Sequence, residues 1–264
     1  ANLNTARTDL AGAGIQTAAL AFGGSVPPNT GATELYDGTS WTEVNDLNTA
    51  RSLLAGCGTS TAGLAFGGNE DTETWNGTNW TEVNNLNAAK DALGGFGTNT
   101  SALAFGGSEP GGNTANTELW NGTNWTEVNN LGGAKRFVAG AGADNTTGLC
   151  FGGNPGPTAN TELWNGTNWA EVNNLNTARN QLAGLGTQPS ALAFGGEGPP
   201  NLAITELWNG TSWSEQGDLN AAVRFNAGAG TTTAGLSFGG DNGPVKAATE
   251  SWNVPSNVVK TLTD

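Results

Sequence analysis

Residues 101–128 read SALAFGGSEPGGNTANTELWNGTNWTEV and contain three quarters of a repeating unit. In 102–107 Leu and Phe alternate with Ala at period two, the spacing that puts side chains on one face of a strand. Diglycine ends that run and a variable loop follows it. Thr117–Trp120 and Trp125–Val128 then read as two more short strands. Asn121-Gly122 between them is the strongest hairpin signal a short sequence can carry. Upstream, an Ala- and Gly-rich segment such as 53–58 supplies a first strand, and its small side chains suit backbones crowded round an axis. One unit therefore predicts four antiparallel strands and no helix.

The unit recurs throughout the chain. Phe-Gly-Gly begins at Phe22, Phe66, Phe105, Phe151, Phe194 and Phe238, with gaps of 44, 39, 46, 43 and 44 residues. A Trp keeps step at Trp41, Trp80, Trp125, Trp169 and Trp213, and the next step of 44 falls on Asn257. A glutamate keeps step at Glu34, Glu73, Glu118, Glu162, Glu206 and Glu250. The short gap has one cause: Phe66 to Glu73 spans 7 residues where the other copies take 11 to 13. Asn-Gly returns at Asn76, Asn165 and Asn209, with Asp37-Gly38 as its variant. Six four-stranded antiparallel units of this length predict an all-β, six-bladed β-propeller in a single domain. Its blades run over about 4–47, 48–86, 87–131, 132–175, 176–219 and 220–264.

Gly-Gly after a strand, then Glu, an aromatic, a turn and Trp, with a basic residue opening the next unit, resembles the kelch repeat. All six copies carry the pattern. The short version rich in Asn, Gly and Thr resembles kelch-like repeats of phage and environmental microbial proteins more than those of animal adaptors. Many kelch propellers share one blade between the two termini. Here each blade is expected to draw all four strands from one repeat, the last at 258–263. The ring would then close by side-chain packing between blades one and six alone, unless a partner subunit or further sequence helps.

Composition narrows the chemistry. Of 264 residues 42 are Gly, 34 Asn and 35 Thr, and His and Met are absent. Without His there is no Ser-His-Asp or Cys-His relay, imidazole metal site or histidine base. Copper oxidases built on kelch propellers need His and Tyr ligands, and this chain has a single Tyr, Tyr36. The Asp37–Trp41 stretch mimics part of a sialidase Asp box without its spacing. Paired carboxylates for glycoside hydrolysis stay open, since acids are plentiful, but no pair stands out from the repeat background. No catalytic residue, cofactor or metal is expected. The 9 basic and 23 acidic residues give a net charge of −14, which argues against nucleic acid and anionic membranes as partners. No apolar run approaches eighteen residues, so no membrane-inserting helix is expected. Residues 1–10 show no basic-then-apolar signal segment. Cys57 and Cys150 read as small buried hydrophobes rather than a disulfide framework.

Four sets of residues remain as candidates. Pro27, Pro28, Asn29, Pro110, Pro155, Pro157, Pro199, Pro200 and Pro244 lie in the loops after Phe-Gly-Gly. These loops vary in length, and insertions gathered on one face of a repeat protein mark its binding face; the alternative is that they are stiffened spacers. Arg7, Arg51, Lys90, Lys135 and Arg179 lead successive repeats, with Arg224 displaced by one residue. A ring of cations suggests an anion site near the axis. The alternative pairs each with an acid of its own or a neighbouring blade, above all the repeated glutamate, as a structural element. Trp75, Trp120, Trp164, Trp208 and Trp252, with Tyr36 substituting once, are expected to fill the space between blades rather than to stack on sugars. Asn-x-Thr/Ser sequons at Asn76, Asn79, Asn99, Asn121, Asn124, Asn145, Asn165 and Asn209 could carry glycans in a secreted protein, and equally serve tight turns.

Together these features point to a non-enzymatic structural or interaction protein, extracellular or on a virion surface. Such a disc would self-assemble, since two unlike faces permit head-to-tail stacking into filaments. The alternative is a glycan- or receptor-binding module of phage-tail or adhesin type. A third reading is an intracellular kelch-type adaptor, although adaptors usually carry a second module.

Overall fold

In the first five repeats the predicted strands form and pair antiparallel in chain order, as do the first three of the sixth, in a computed structural model describing residues 1–254. Blade three is typical, with Gly94–Thr98 innermost, then Ser101–Phe105, Thr117–Trp120 and Trp125–Val128. Trp120 pairs with Trp125 across the Asn-Gly turn. Gly122 there takes φ 92°, and Asn121 Oδ1 accepts the N–H groups of Thr123 and Asn124 at 2.9 Å each. The Asn of Asn-Gly-Thr thus caps its own turn, as Asn76, Asn165, Asn209 and Asp37 do. Blade three adds a small hairpin, Ser108–Glu109 with Gly112–Asn113, inside its proline-containing loop. Five blades are four-stranded, and three strands of the sixth lie among the described residues. The strand expected at 258–263 and the repeat step at Asn257 fall outside them.

The inner strands stand in a ring, each touching its two neighbours, and Ala227–Thr231 of blade six touches Ala11–Ile15 of blade one. The whole is a six-bladed β-propeller, all-β, with no helix among the described residues. The glycines of the inner strands are required by packing. A Cβ on Gly140 would lie 2.7 Å from Phe105 Cζ and 3.1 Å from Gly95 O. The phenylalanine of each Phe-Gly-Gly therefore lies on an inner-strand glycine of the next blade. Phe22 covers Gly56, Phe66 covers Gly95, Phe151 covers Gly184, Phe194 covers Gly228 and Phe238 covers Gly12.

The tryptophans are core, as expected. Trp75, Trp120, Trp164 and Trp208 are at most 2% exposed, and each donates its indole N–H to a backbone carbonyl of the turn between the first two strands. Tyr36 is also buried, while Trp252 is half-buried. The fourth-strand Trp of one blade reaches the third-strand Thr of the blade before it, as Trp80 Nε1 does to Thr33 Oγ1 at 3.0 Å. On the turn face Asn45, Asn84 and Asn129 lace blades together by donating to the next Asn-Gly-Thr turn. Cys57 and Cys150 are free and buried, and burial pushes the Cys150 thiol up to about 12 and that of Cys57 higher still.

Closure differs from expectation. Side-chain packing is not alone at the seam between blades six and one, because Leu3 N–H donates to Ala247 O at 2.9 Å and Arg7 N–H to Lys246 O at 3.0 Å. Leu47 to Gly31 and Arg51 to Thr30 are the same bonds one blade on, so the closing seam repeats an internal one.

Gly140→Ala should lower stability by about 1–3 kcal/mol, the usual cost of overpacking, because Phe105 and backbone meet the new methyl. Gly133→Ala, where a Cβ meets nothing within 4 Å, should be neutral. Urea midpoints of the two variants against the parent check this.

Candidate functional site

The leading bases do not form an open anion site. Each is buried against the glutamate of its own blade: Arg7–Glu34 at 3.1 Å, Arg51–Glu73 at 2.6 Å, Lys90–Glu118 at 2.6 Å, Lys135–Glu162 at 2.5 Å and Arg179–Glu206 at 3.0 Å. The second carboxylate oxygen is also engaged. Glu34 Oε2 accepts both the backbone N–H and the side-chain amide of Asn4, at 2.7 and 2.9 Å, and Asn48, Asn87 and Asn176 repeat the arrangement. Burial lowers the pKa of Arg7 and Arg179, and their glutamates oppose that fall. Blade six departs from the rule. Val223 takes the place of the base, Glu250 is held by Asn220, and Arg224 turns to Glu197 and Asp241 at 2.9 and 3.1 Å.

Pro27, Pro28, Asn29, Pro110, Pro155, Pro157, Pro199, Pro200 and Pro244 are all exposed. They share one face, because isolated bridges tie their loops to the start of the inner strands, such as Thr8 to Ser25, Asn180 to Glu197 and Arg224 to Asp241. These loops surround the axial mouth of the propeller. Sequence reasoning missed the residues that build the mouth itself: Asp9, Leu53, Ala92, Phe137, Gln181 and Phe225.

Those six residues form a closed circle of backbone hydrogen bonds. Leu53 N–H donates to Asp9 O, Ala92 to Leu53, Phe137 to Ala92, Gln181 to Phe137, Phe225 to Gln181 and Asp9 to Phe225, at 2.8–3.2 Å. All six take left-handed φ values between 52° and 57°, and none is glycine. Such conformations cost about 1–2 kcal/mol each in isolation, and here the ring of bonds holds them. Their side chains line a cavity of about 110 Å³ on the axis.

Phe137 and Phe225 meet edge to face in the mouth at 5.5 Å, and Arg136 lies over the ring of Phe137 at 4.9 Å and Arg224 over that of Phe225 at 5.3 Å. Beside this aromatic pair, Asp9 Oδ1 and Gln181 Oε1 are buried acceptors without a hydrogen-bond partner among the described residues. Burial pushes the Asp9 carboxyl up to about 6; Thr8 and Arg224 pull it down and Asp241 pushes it up. The mouth is thus an aromatic collar with unfilled acceptors, suited to a group that donates hydrogen bonds. The signal that could have found it was variability. Within a nearly constant repeat, the place two residues after the leading base, or after Val223 in blade six, holds Asp, Leu, Ala, Phe, Gln and Phe in turn. Among the described residues no cluster of three or more His, Cys, Asp or Glu could hold a metal ion.

Two predictions follow from these charges. Asp9 binds its proton more tightly in the fold than in the unfolded chain, so ionisation costs stability as pH rises from about 4 through about 6. Asp9→Asn should therefore stabilise the protein at pH 8, by about 1–2 kcal/mol after allowance for partial solvent screening, and not at pH 4. Thermal melts across pH 4–8 measure this. Arg51→Met strands Glu73 without its cation and should cost about 3–5 kcal/mol, while adding Glu73→Gln should recover part of it in denaturant titrations.

Compared with known proteins, the chain matches no protein-family model and no curated sequence.

Proposed function

We propose that this chain is a non-catalytic interaction propeller of kelch-like type that works outside cells or on a virus particle, and that it meets its partner with the proline-loop face. The observation that carries the reading is the contrast between the two faces. The turn face is nearly uniform and laced by asparagines, whereas the loops and the six mouth residues of the other face differ from blade to blade. A fold held by constant positions leaves its variable positions for recognition. Val26, 38% exposed beside Pro27 and Pro28, adds an apolar contact to that face, and the mouth offers Asp9 and Gln181 to a donor group protruding from the partner.

The absence of catalysis is supported by what the polar groups do. Five of the six repeated glutamates are used up by a cation and an amide or backbone N–H, and both thiols are held protonated by burial. The first partner to test is a second copy of the chain, since two unlike faces permit head-to-tail contact. The other is a glycan or cell-surface receptor.

Electron microscopy of concentrated protein and a glycan array together test the reading. The expected result is ordered assemblies or glycan hits that Val26→Lys and Asn29→Lys abolish at unchanged Tm, while Thr78→Lys and Thr167→Lys on the turn face leave them intact. A monomer at high concentration with no glycan hit, or contacts indifferent to the loop face, would overturn it.

A further inference from the structure

Every leading segment but one carries an asparagine just after its leucine, at Asn4, Asn48, Asn87, Asn176 and Asn220; blade four has Gly132 there, followed by Gly133. The side chain of that asparagine works as a fork. In blades one, two and five its amide nitrogen donates both to the buried glutamate and to the carbonyl of the fourth-strand tryptophan. Asn4, for example, reaches Glu34 Oε2 and Trp41 O at 2.9 Å each. Blade four keeps only the backbone part of the arrangement, since Gly132 N–H donates to Glu162 Oε2 at 2.7 Å.

Where the carboxamide stands in the other blades, blade four has a cavity of about 390 Å³, walled by Gly132, Gly133, Glu162 and Trp169 among others and open beside Pro155. Trp169 is half-buried, whereas Trp41, Trp80, Trp125 and Trp213 are 4–5% exposed. The charges of the cavity do not balance. Lys135 Nζ is engaged by Glu162 Oε1 at 2.5 Å, which leaves Glu171 in excess. Glu171 is exposed, accepts Asn160 Nδ2 at 3.2 Å and has no ion pair among the described residues. The cavity therefore offers acceptors, an unbalanced carboxylate and an indole wall.

We propose that this cavity binds an arginine side chain of a basic partner protein. The guanidinium takes the place of the missing carboxamide. It is planar like the amide, and its terminal N–H groups present the same fork to Glu162 Oε2 and Trp169 O. Its charge meets Glu171 and its plane lies against the Trp169 indole. Lysine would supply the charge without the fork, and a neutral amide the fork without the charge. A chain of net charge −14 draws a basic partner toward it. Because the cavity opens among the proline loops, this proposal rests on that face being the recognising one and gives it a partner of defined chemistry. The two can fail separately, since a small probe reads the cavity without any assembly or glycan.

Acetyl-arginine methylamide is titrated into the isotope-labelled full chain and followed by NMR. Saturable shifts are expected at the Trp169 indole N–H and at the amides of Gly132 and Gly133. The citrulline analogue, which keeps the shape and the terminal N–H groups but carries no charge, should bind about tenfold more weakly, and the lysine analogue should also bind more weakly than arginine. Gly132→Asn puts the carboxamide of the other blades back into the cavity and should abolish binding at an unchanged or raised Tm; Gly132 has no positive φ that would resist the change. Glu171→Gln should weaken binding about twofold to fivefold, as loss of an exposed ion pair does. No saturable shift at these residues, equal affinity for the arginine and citrulline analogues, or binding that survives in folded Gly132→Asn would overturn the proposal. So would methyl glycosides that fill the cavity more tightly than arginine does.

Discussion

A buried carboxylate on the third strand of each of the first five blades ties the ring together. It grips a base and, in most repeats, an asparagine from the segment that leads into its blade. That same segment is bonded through its backbone to the preceding blade, as Leu47 is to Gly31. One side chain therefore couples two blades. Such a pair adds little net stability against an apolar substitute, but it makes one arrangement of the connecting segment far better than any other. Blade six keeps the asparagine and gives up the base, so it is the least firmly knotted.

Much of the architecture was legible because each packing demand repeats six times. Phe-Gly-Gly announced both a strand end and the ring that lies on the next blade's glycine, and Asn-Gly announced the outer hairpin. Trp75, Trp120, Trp164 and Trp208 were readable as core from their strict repetition. The mouth was not legible, for a physical reason. Leu, Ala, Phe and Gln disfavour left-handed backbone and only Asp tolerates it better, yet the ring of bonds imposes it on whichever residue is present. Closure was half-read for a similar reason, since a backbone hydrogen bond leaves no mark on side-chain identity. The proline loops were readable as an exposed face, but not as walls around an axis. Their position depends on bridges to residues far away in sequence.

The abundance of Gly, Asn and Thr thus has separate causes. Glycine serves inner-strand crowding and positive φ at turns, asparagine caps turns and laces blades, and the third-strand threonines receive indole N–H groups. A composition that resembles low complexity is a small set of contacts made six times over.

The circle of hydrogen bonds at the mouth has an electrostatic consequence. Its six N–H···O=C dipoles follow one another head to tail round the axis, so their components across the ring cancel. The bonds are made by backbone alone, so the six side chains at the opening are left to set its chemistry together with Arg136, Arg224 and Asp241. Recognition and folding are separated in this ring, and a relative could turn an acidic mouth into a basic or greasy one without disturbing a blade.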